Sequence, residues 1–147
     1  MKIKNIVFYS GIGTLFTHEL DAMPNHEWLV LPLTSWMPYE VGAIVFVLLH
    51  IPLFAVLIAL ISSENRNIRD RSKLAIGIFL IIHSLLHILF MNHVDYEFSS
   101  ILSKTLIFGG ALFGSIYLLL EYIEKRCDPA SPKGARERAS RKRSPIS

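Results

Sequence analysis

The positions of lysine and arginine limit the possible folds of this chain most, because segments that contain them alternate with long apolar stretches. If each apolar stretch crosses a membrane, fourteen of the fifteen Lys and Arg residues fall on the same side of it, and only Lys104 falls on the other side. Residues 18–40 contain none. Membrane insertion sorts charge in this way, because cytoplasmic loops retain Lys and Arg, whereas a soluble domain has no reason to do so. The pattern predicts a polytopic membrane protein with both ends in the cytoplasm.

The composition supports a membrane protein and argues against a nucleic-acid partner. Hydrophobic residues make up 52% of the 147 residues, which is too apolar for an ordinary soluble fold. The formal net charge is +3, but six of the fifteen basic residues lie within 127–147. We expect this tail to be disordered, because it has few apolar residues to bury. We expect its charge to attract anionic lipid headgroups.

Four apolar stretches are long enough to cross a bilayer core of about 30 Å, which needs about 20 helical residues. The sequence therefore predicts an all-α, four-helix transmembrane bundle over residues 1–126. Its expected spans are 3–22, 39–62, 73–92 and 100–122. The fourth contains Gly110 and Gly114 at the spacing that lets helix backbones approach closely. This face can pack within the bundle, against a second copy, or against a membrane partner.

Histidines and carboxylates concentrate at similar depths in three of these spans. Ionisable groups are costly inside a membrane and usually mark a functional site. His83 and His87 are four residues apart and share a helix face, while His18 and Asp21 share another. We expect these four to converge in the outer half of the bundle, with His50 at the floor of the cavity. Imidazole and carboxylate ligands together fit zinc, iron or manganese.

This cluster suggests a metal-dependent membrane enzyme acting on a lipidic or small apolar substrate. Glu19 or Glu27 would then be the general base. Simpler interpretations remain open: His50 could bond a carbonyl freed by Pro52, and Glu27, in a loop, could be a surface group. The alternative functions are haem binding through His50 and His83, an ion or proton relay, and a non-enzymatic accessory subunit.

A local signature follows the first predicted span. The run THELDA at residues 17–22, then NHEW at 25–28 and Leu31-Pro32, resembles a family of small uncharacterised bacterial membrane proteins. It is similar in style to membrane proteins named for an HxxEE motif. The resemblance implies the bacterial inner membrane and no established reaction. The positions that match the motif are His18, Glu19, Asp21, His26, Glu27 and Trp28.

Overall fold

The computed structural model describes residues 3–127, which form four long helices and one short 3-10 helix, with no strand in this range. The helices are α1 (Ile3–Ala22), the 3-10 helix (Glu27–Leu29), α2 (Tyr39–Ile61), α3 (Arg66–Phe90) and α4 (Ile101–Cys127). The predicted all-helical class is therefore confirmed. Of the predicted tail 127–147, only Cys127 is described, as the exposed last residue of α4; the rest lies outside the described residues.

Three of the four helices, α2, α3 and α4, are long and apolar enough to cross a membrane. Their length and composition support membrane insertion. Helix α1 has 20 residues, but it is not among the helices that are apolar enough. Three of the four predicted spans therefore correspond to helices that are long and apolar enough to cross a membrane.

Helices α3 and α4 extend beyond their predicted spans at the same end of the bundle. α3 begins at Arg66 instead of residue 73, because the side chain of Asn65 accepts hydrogen bonds from two backbone N–H groups of the first turn. α4 continues to Cys127 instead of residue 122. A Glu121–Lys125 ion pair at i,i+4 spacing stabilises its last turns.

Helix α1 packs against both α3 and α4 through glycines. A Cβ on Gly11 would lie 2.9 Å from Leu80 of α3 and 3.2 Å from Phe113 of α4. A Cβ on Gly114 would lie 2.7 Å from the carbonyl oxygen of Gly77, whereas one on Gly110 would make only ordinary contacts. The closest approach in α4 is therefore at Gly114, and its neighbour is α3 of the same chain.

Helix α2 lies at the edge of the bundle. It contacts α3 and the 3-10 helix, and only 6% of its most apolar window is buried. Two apolar clusters hold the helices together at opposite ends. One contains Trp28, Phe46, Phe98 and Ile107, and the other contains Phe8, Ile12, Ile61 and Tyr117.

Candidate metal centre

Three histidines from two helices meet near the carboxyl ends of α1 and α3. His83 and His87 are one turn apart on α3, and His18 faces them from α1. One ring nitrogen from each lies within 4.8 Å of the others, a grouping that could hold a metal ion. His18 and His87 are buried, at 1% and 6% exposure, and His83 is partly buried. The predicted convergence of these three residues matches the structure.

The distance between two of these rings is suited to shared coordination. The Nε2 atoms of His18 and His87 are 3.2 Å apart. Ligand atoms of a tetrahedral ion with bonds of about 2.0 Å are about 3.3 Å apart. The third ring is close to both, because the His83 centroid lies 4.8 Å from that of His18 and 4.8 Å from that of His87. Small side-chain rotations would bring all three nitrogens to one ion.

Glu27 completes this group from the loop that follows α1. Its carboxylate oxygens lie 3.7 Å from the Nε2 atoms of both His18 and His87. The loop turns inward at His26, whose left-handed backbone (φ 50°) precedes the 3-10 helix that begins at Glu27. Glu27 is 6% exposed, so the interpretation of it as a surface group is wrong. Burial, with the nearby carboxylates of Glu19 and Asp21, raises the pKa of Glu27 to about 8.

Several polar atoms of this group are buried without a hydrogen bond. Within residues 3–127, no group lies within hydrogen-bond distance of Nδ1 of His18, Nε2 of His83 or Oε2 of Glu27. Burial of an unpaired polar group costs about 1–3 kcal/mol, so native structures rarely tolerate three together. A cation between the rings and the carboxylate would satisfy Nε2 of His83 and Oε2 of Glu27 at once.

Two aromatic residues after α3 support the group, and no sequence pattern predicted this role for them. The hydroxyl of Tyr96 lies 3.2 Å from Nδ1 of His87. A ligating histidine commonly donates its other N–H to an oxygen, which fixes the ring orientation. Burial and Glu27 raise the pKa of Tyr96, so its hydroxyl stays neutral. The buried ring of Phe98 packs against both His18 and His87.

The structure places His50 outside this group, contrary to the prediction that it forms the floor of the cavity. Its Nε2 lies 2.8 Å from Oε2 of Glu19, and its Nδ1 lies 2.7 Å from the carbonyl oxygen of Phe46. Successive residues on a helix are about 100° apart, so Glu19 faces α2 while His18 faces α3. Neither nitrogen of His50 is available to a haem iron. The predicted pairing of His50 with His83 as axial ligands is therefore not supported.

The other predicted positions lie around the group. Asp21 has a buried oxygen without a partner among the described residues and is close enough to affect Glu27, but it is not one of the three converging ligands. Glu19 is engaged with His50, so Glu27 is the better placed of the two predicted bases. Near the group, His26 in the loop after α1 contacts Glu97 in the loop after α3, at 2.8 Å.

A small cavity borders the group. It has a volume of about 30 Å³, and the side chains that line it include Glu27, His83 and His87 together with Leu31, Leu86 and Phe90. A buried water needs about 10–15 Å³, so the cavity has room for about two or three such molecules. Its lining is apolar except beside the histidines and the carboxylate.

Comparison with known proteins places the chain in a family without assigning a reaction. A family model described as a family of unknown function, DUF6713, matches residues 4–124. The chain belongs to DUF6713. No curated protein and no solved structure matches it. The family match agrees with the predicted resemblance to uncharacterised proteins, whereas the signature at residues 17–28 stays a prediction.

Proposed function

We propose that this DUF6713 member is an integral membrane protein that binds one divalent transition metal ion through His18, Glu27, His83 and His87. The observation that carries the proposal is the 3.2 Å separation of two buried Nε2 atoms beside a buried carboxylate and a third, unpartnered imidazole nitrogen. Three imidazoles and one carboxylate suit zinc, iron or manganese. His50 and Asp21 are not required as ligands.

Elemental analysis of the purified full chain tests this proposal. We expect about one zinc, iron or manganese per chain, as the four-ligand set predicts, and loss of most of it in His87→Gln and His18→Gln. The matched controls are His50→Gln and His93→Gln, since these imidazoles lie outside the group. A folded wild-type protein that takes up none of these metals would overturn the proposal and favour an accessory subunit.

A second candidate function, a metal-dependent enzyme acting on a lipidic or small apolar substrate, is favoured by the buried carboxylate of Glu27 beside the histidines. The three histidines alone would then hold the ion, which could polarise a water or a carbonyl group. Glu27 would accept the proton as the carboxylate, which a bound cation would favour, and its oxygens lie 3.7 Å from Nε2 of His18 and of His87. The cavity of about 30 Å³ has room for water only, so Leu31, Leu86 and Phe90 would have to move apart to admit a substrate.

The number of protein ligands separates these two functions. A structural site uses four protein ligands and is closed, whereas a catalytic site keeps an open position. The Co²⁺-substituted protein can be titrated with azide and followed by visible absorption. A spectral change in the wild type, with metal retained in Glu27→Gln, supports the enzyme. An unchanged spectrum, with metal lost in Glu27→Gln, identifies a closed site in which Glu27 is a ligand.

We also propose that α1 is the fourth span, and that the start of α1 and the end of α4 face the cytoplasm of a bacterial cell. The partition of Lys and Arg supports this orientation. Cys127 is the only cysteine in the sequence and is exposed, so it can be labelled without removing others. A membrane-impermeant maleimide should label Cys127 in spheroplasts only after permeabilisation. Labelling of intact spheroplasts would reverse the orientation.

A further inference from the structure

A second and much larger cavity lies at the opposite end of the bundle from the metal centre. The starts of α1 and α3 and the end of α4 meet there, and the cavity has a volume of about 650 Å³. At a rise of about 1.5 Å per residue, Lys4 in its wall is roughly 21 Å along α1 from His18. The two sites are therefore separate, and the larger cavity contains none of the proposed metal ligands.

The wall of this cavity is positively charged. Five cationic and three carboxylate side chains line it, so its net formal charge is +2. The carboxylates already have cationic partners. Lys4 contacts both Glu121 and Glu124, and Asp70 is shared between Arg66 at 3.4 Å and Arg69 at 3.8 Å. The cations thus outnumber the carboxylates that could neutralise them.

Lys73 is the clearest surplus cation. Across residues 3–127, no carboxylate lies within ion-pair distance of its ammonium group. The group instead lies over the rings of Phe8 and Tyr9, at 5.3 and 5.2 Å from their centroids. Aromatic faces hold an ammonium group in place without cancelling its charge. An anion in the cavity would therefore contact an ammonium group that is held in position and keeps its full charge.

The first turns of α3 supply three of the five cations that line the cavity. Arg66, Arg69 and Lys73 lie three and four residues apart, so their side chains share one face of the helix. The same turns form the amino end of α3, where the helix dipole favours negative charge. Guanidinium groups present paired N–H donors that match the oxygens of a phosphate.

We infer that this cavity binds the phosphate group of an anionic ligand, held by Lys73, Arg69 and Arg66. The cavity opens at the ends of three helices, two of which are apolar enough to span a bilayer. This position gives two sources access to it: the headgroup of an anionic phospholipid and a soluble phosphate ester. Both present the same chemistry to the cations.

The test uses the purified full chain in phosphatidylcholine nanodiscs and measures the thermal unfolding midpoint. One arm adds phosphatidylglycerol to the bilayer, and the other adds glycerol 3-phosphate to the buffer. A ligand that binds only the folded state raises the midpoint. We expect Lys73→Gln and Arg69→Gln to lose at least half of the rise. Arg71→Gln is the matched control, because Arg71 is exposed and does not line the cavity.

The outcomes of the two arms distinguish the sources. A rise in the phosphatidylglycerol arm alone identifies a lipid headgroup, and a rise in the other arm alone identifies a soluble ester. The basic residues after Cys127 are present in every variant, so their attraction to the bilayer cancels in the comparison. Lys73→Arg keeps the charge and should retain the rise, which guards against a folding defect in Lys73→Gln. Absence of any rise, or an equal loss in Arg71→Gln, would overturn the inference.

Discussion

Replacement of Gly114 by alanine tests the packing of α3 against α4. The added Cβ would lie 2.7 Å from the carbonyl oxygen of Gly77 and 3.1 Å from Cβ of Leu80. Both neighbours belong to the fixed part of α3 and cannot rotate away. Ordinary contact begins at 3.4 Å, so the two helices must separate locally by about 0.7 Å, a gap that forfeits a quarter to a half of each contact's attraction.

The expected cost follows from two opposing effects. Overpacking of this kind costs about 1–3 kcal/mol, while replacing glycine by alanine inside a helix gains about 0.5–1 kcal/mol. We therefore expect Gly114→Ala to lower the free energy of unfolding by about 1 kcal/mol relative to wild type, within a range of about 0–2.5 kcal/mol. Gly13→Ala is the matched control, because a Cβ there meets nothing within 4 Å. It should be neutral or slightly stabilising.

The assay is unfolding by SDS in mixed micelles, followed by circular dichroism and referred to the same wild-type curve. Gly110→Ala should resemble the control, because its Cβ would meet only ordinary contacts at 3.7 and 3.9 Å. If Gly114→Ala is as stable as Gly13→Ala, the close approach at Gly77 does not exist and α3 and α4 pack differently.

Three further outcomes are expected at the two polar groups. Tyr96→Phe should weaken metal affinity by about 10–100-fold without abolishing binding, because it removes only the oxygen next to Nδ1 of His87; a competition assay with a chelating dye measures this, and unchanged affinity would contradict it. Glu19→Gln should lower stability and leave metal content unchanged, because Glu19 pairs with His50 outside the metal group; loss of metal would show that the two groups are linked. In metal-free protein, stability should fall as pH rises from about 7 towards about 8, because folded Glu27 keeps its proton to higher pH than the unfolded chain does; this window lies above the ordinary histidine pKa of about 6.5, so histidines of the unfolded chain add little to the slope. Glu27→Gln should flatten this slope in a thermal unfolding series, and an equally steep slope in that variant would assign it to other groups.

The positions of the helices were largely predictable from the apolar stretches and from the charged segments that separate them. Both ends of α1 and the start of α2 fall at the predicted residues. The start of α3 was misplaced because its first two turns are polar and lie beyond the apolar run, so a hydropathy argument stops at residue 73. The cap at Asn65 was a local signal for the true start.

The site was predictable only where regular helix geometry decides it. Depth and spacing were enough to bring His18 together with His83 and His87. The depth of a residue does not determine which way its helix is rotated. His50 of α2 was therefore predicted to lie beside His18, whereas it contacts Glu19 on another face of α1. Glu27 could not be placed, because its inward position depends on one left-handed residue in a loop.

The central position of α1 has a consequence for how the protein is made. α1 precedes the other three helices in the chain and is not among those apolar enough to cross a membrane, and it contains Lys4, Glu19 and Asp21. Charged residues make insertion of an isolated segment costly. Helices α3 and α4, which pack against α1, are synthesised after it. For α1 to cross the bilayer, it must wait at the membrane surface or in the insertion machinery until they arrive. The order in which these helices enter the bilayer would then differ from their order in the chain.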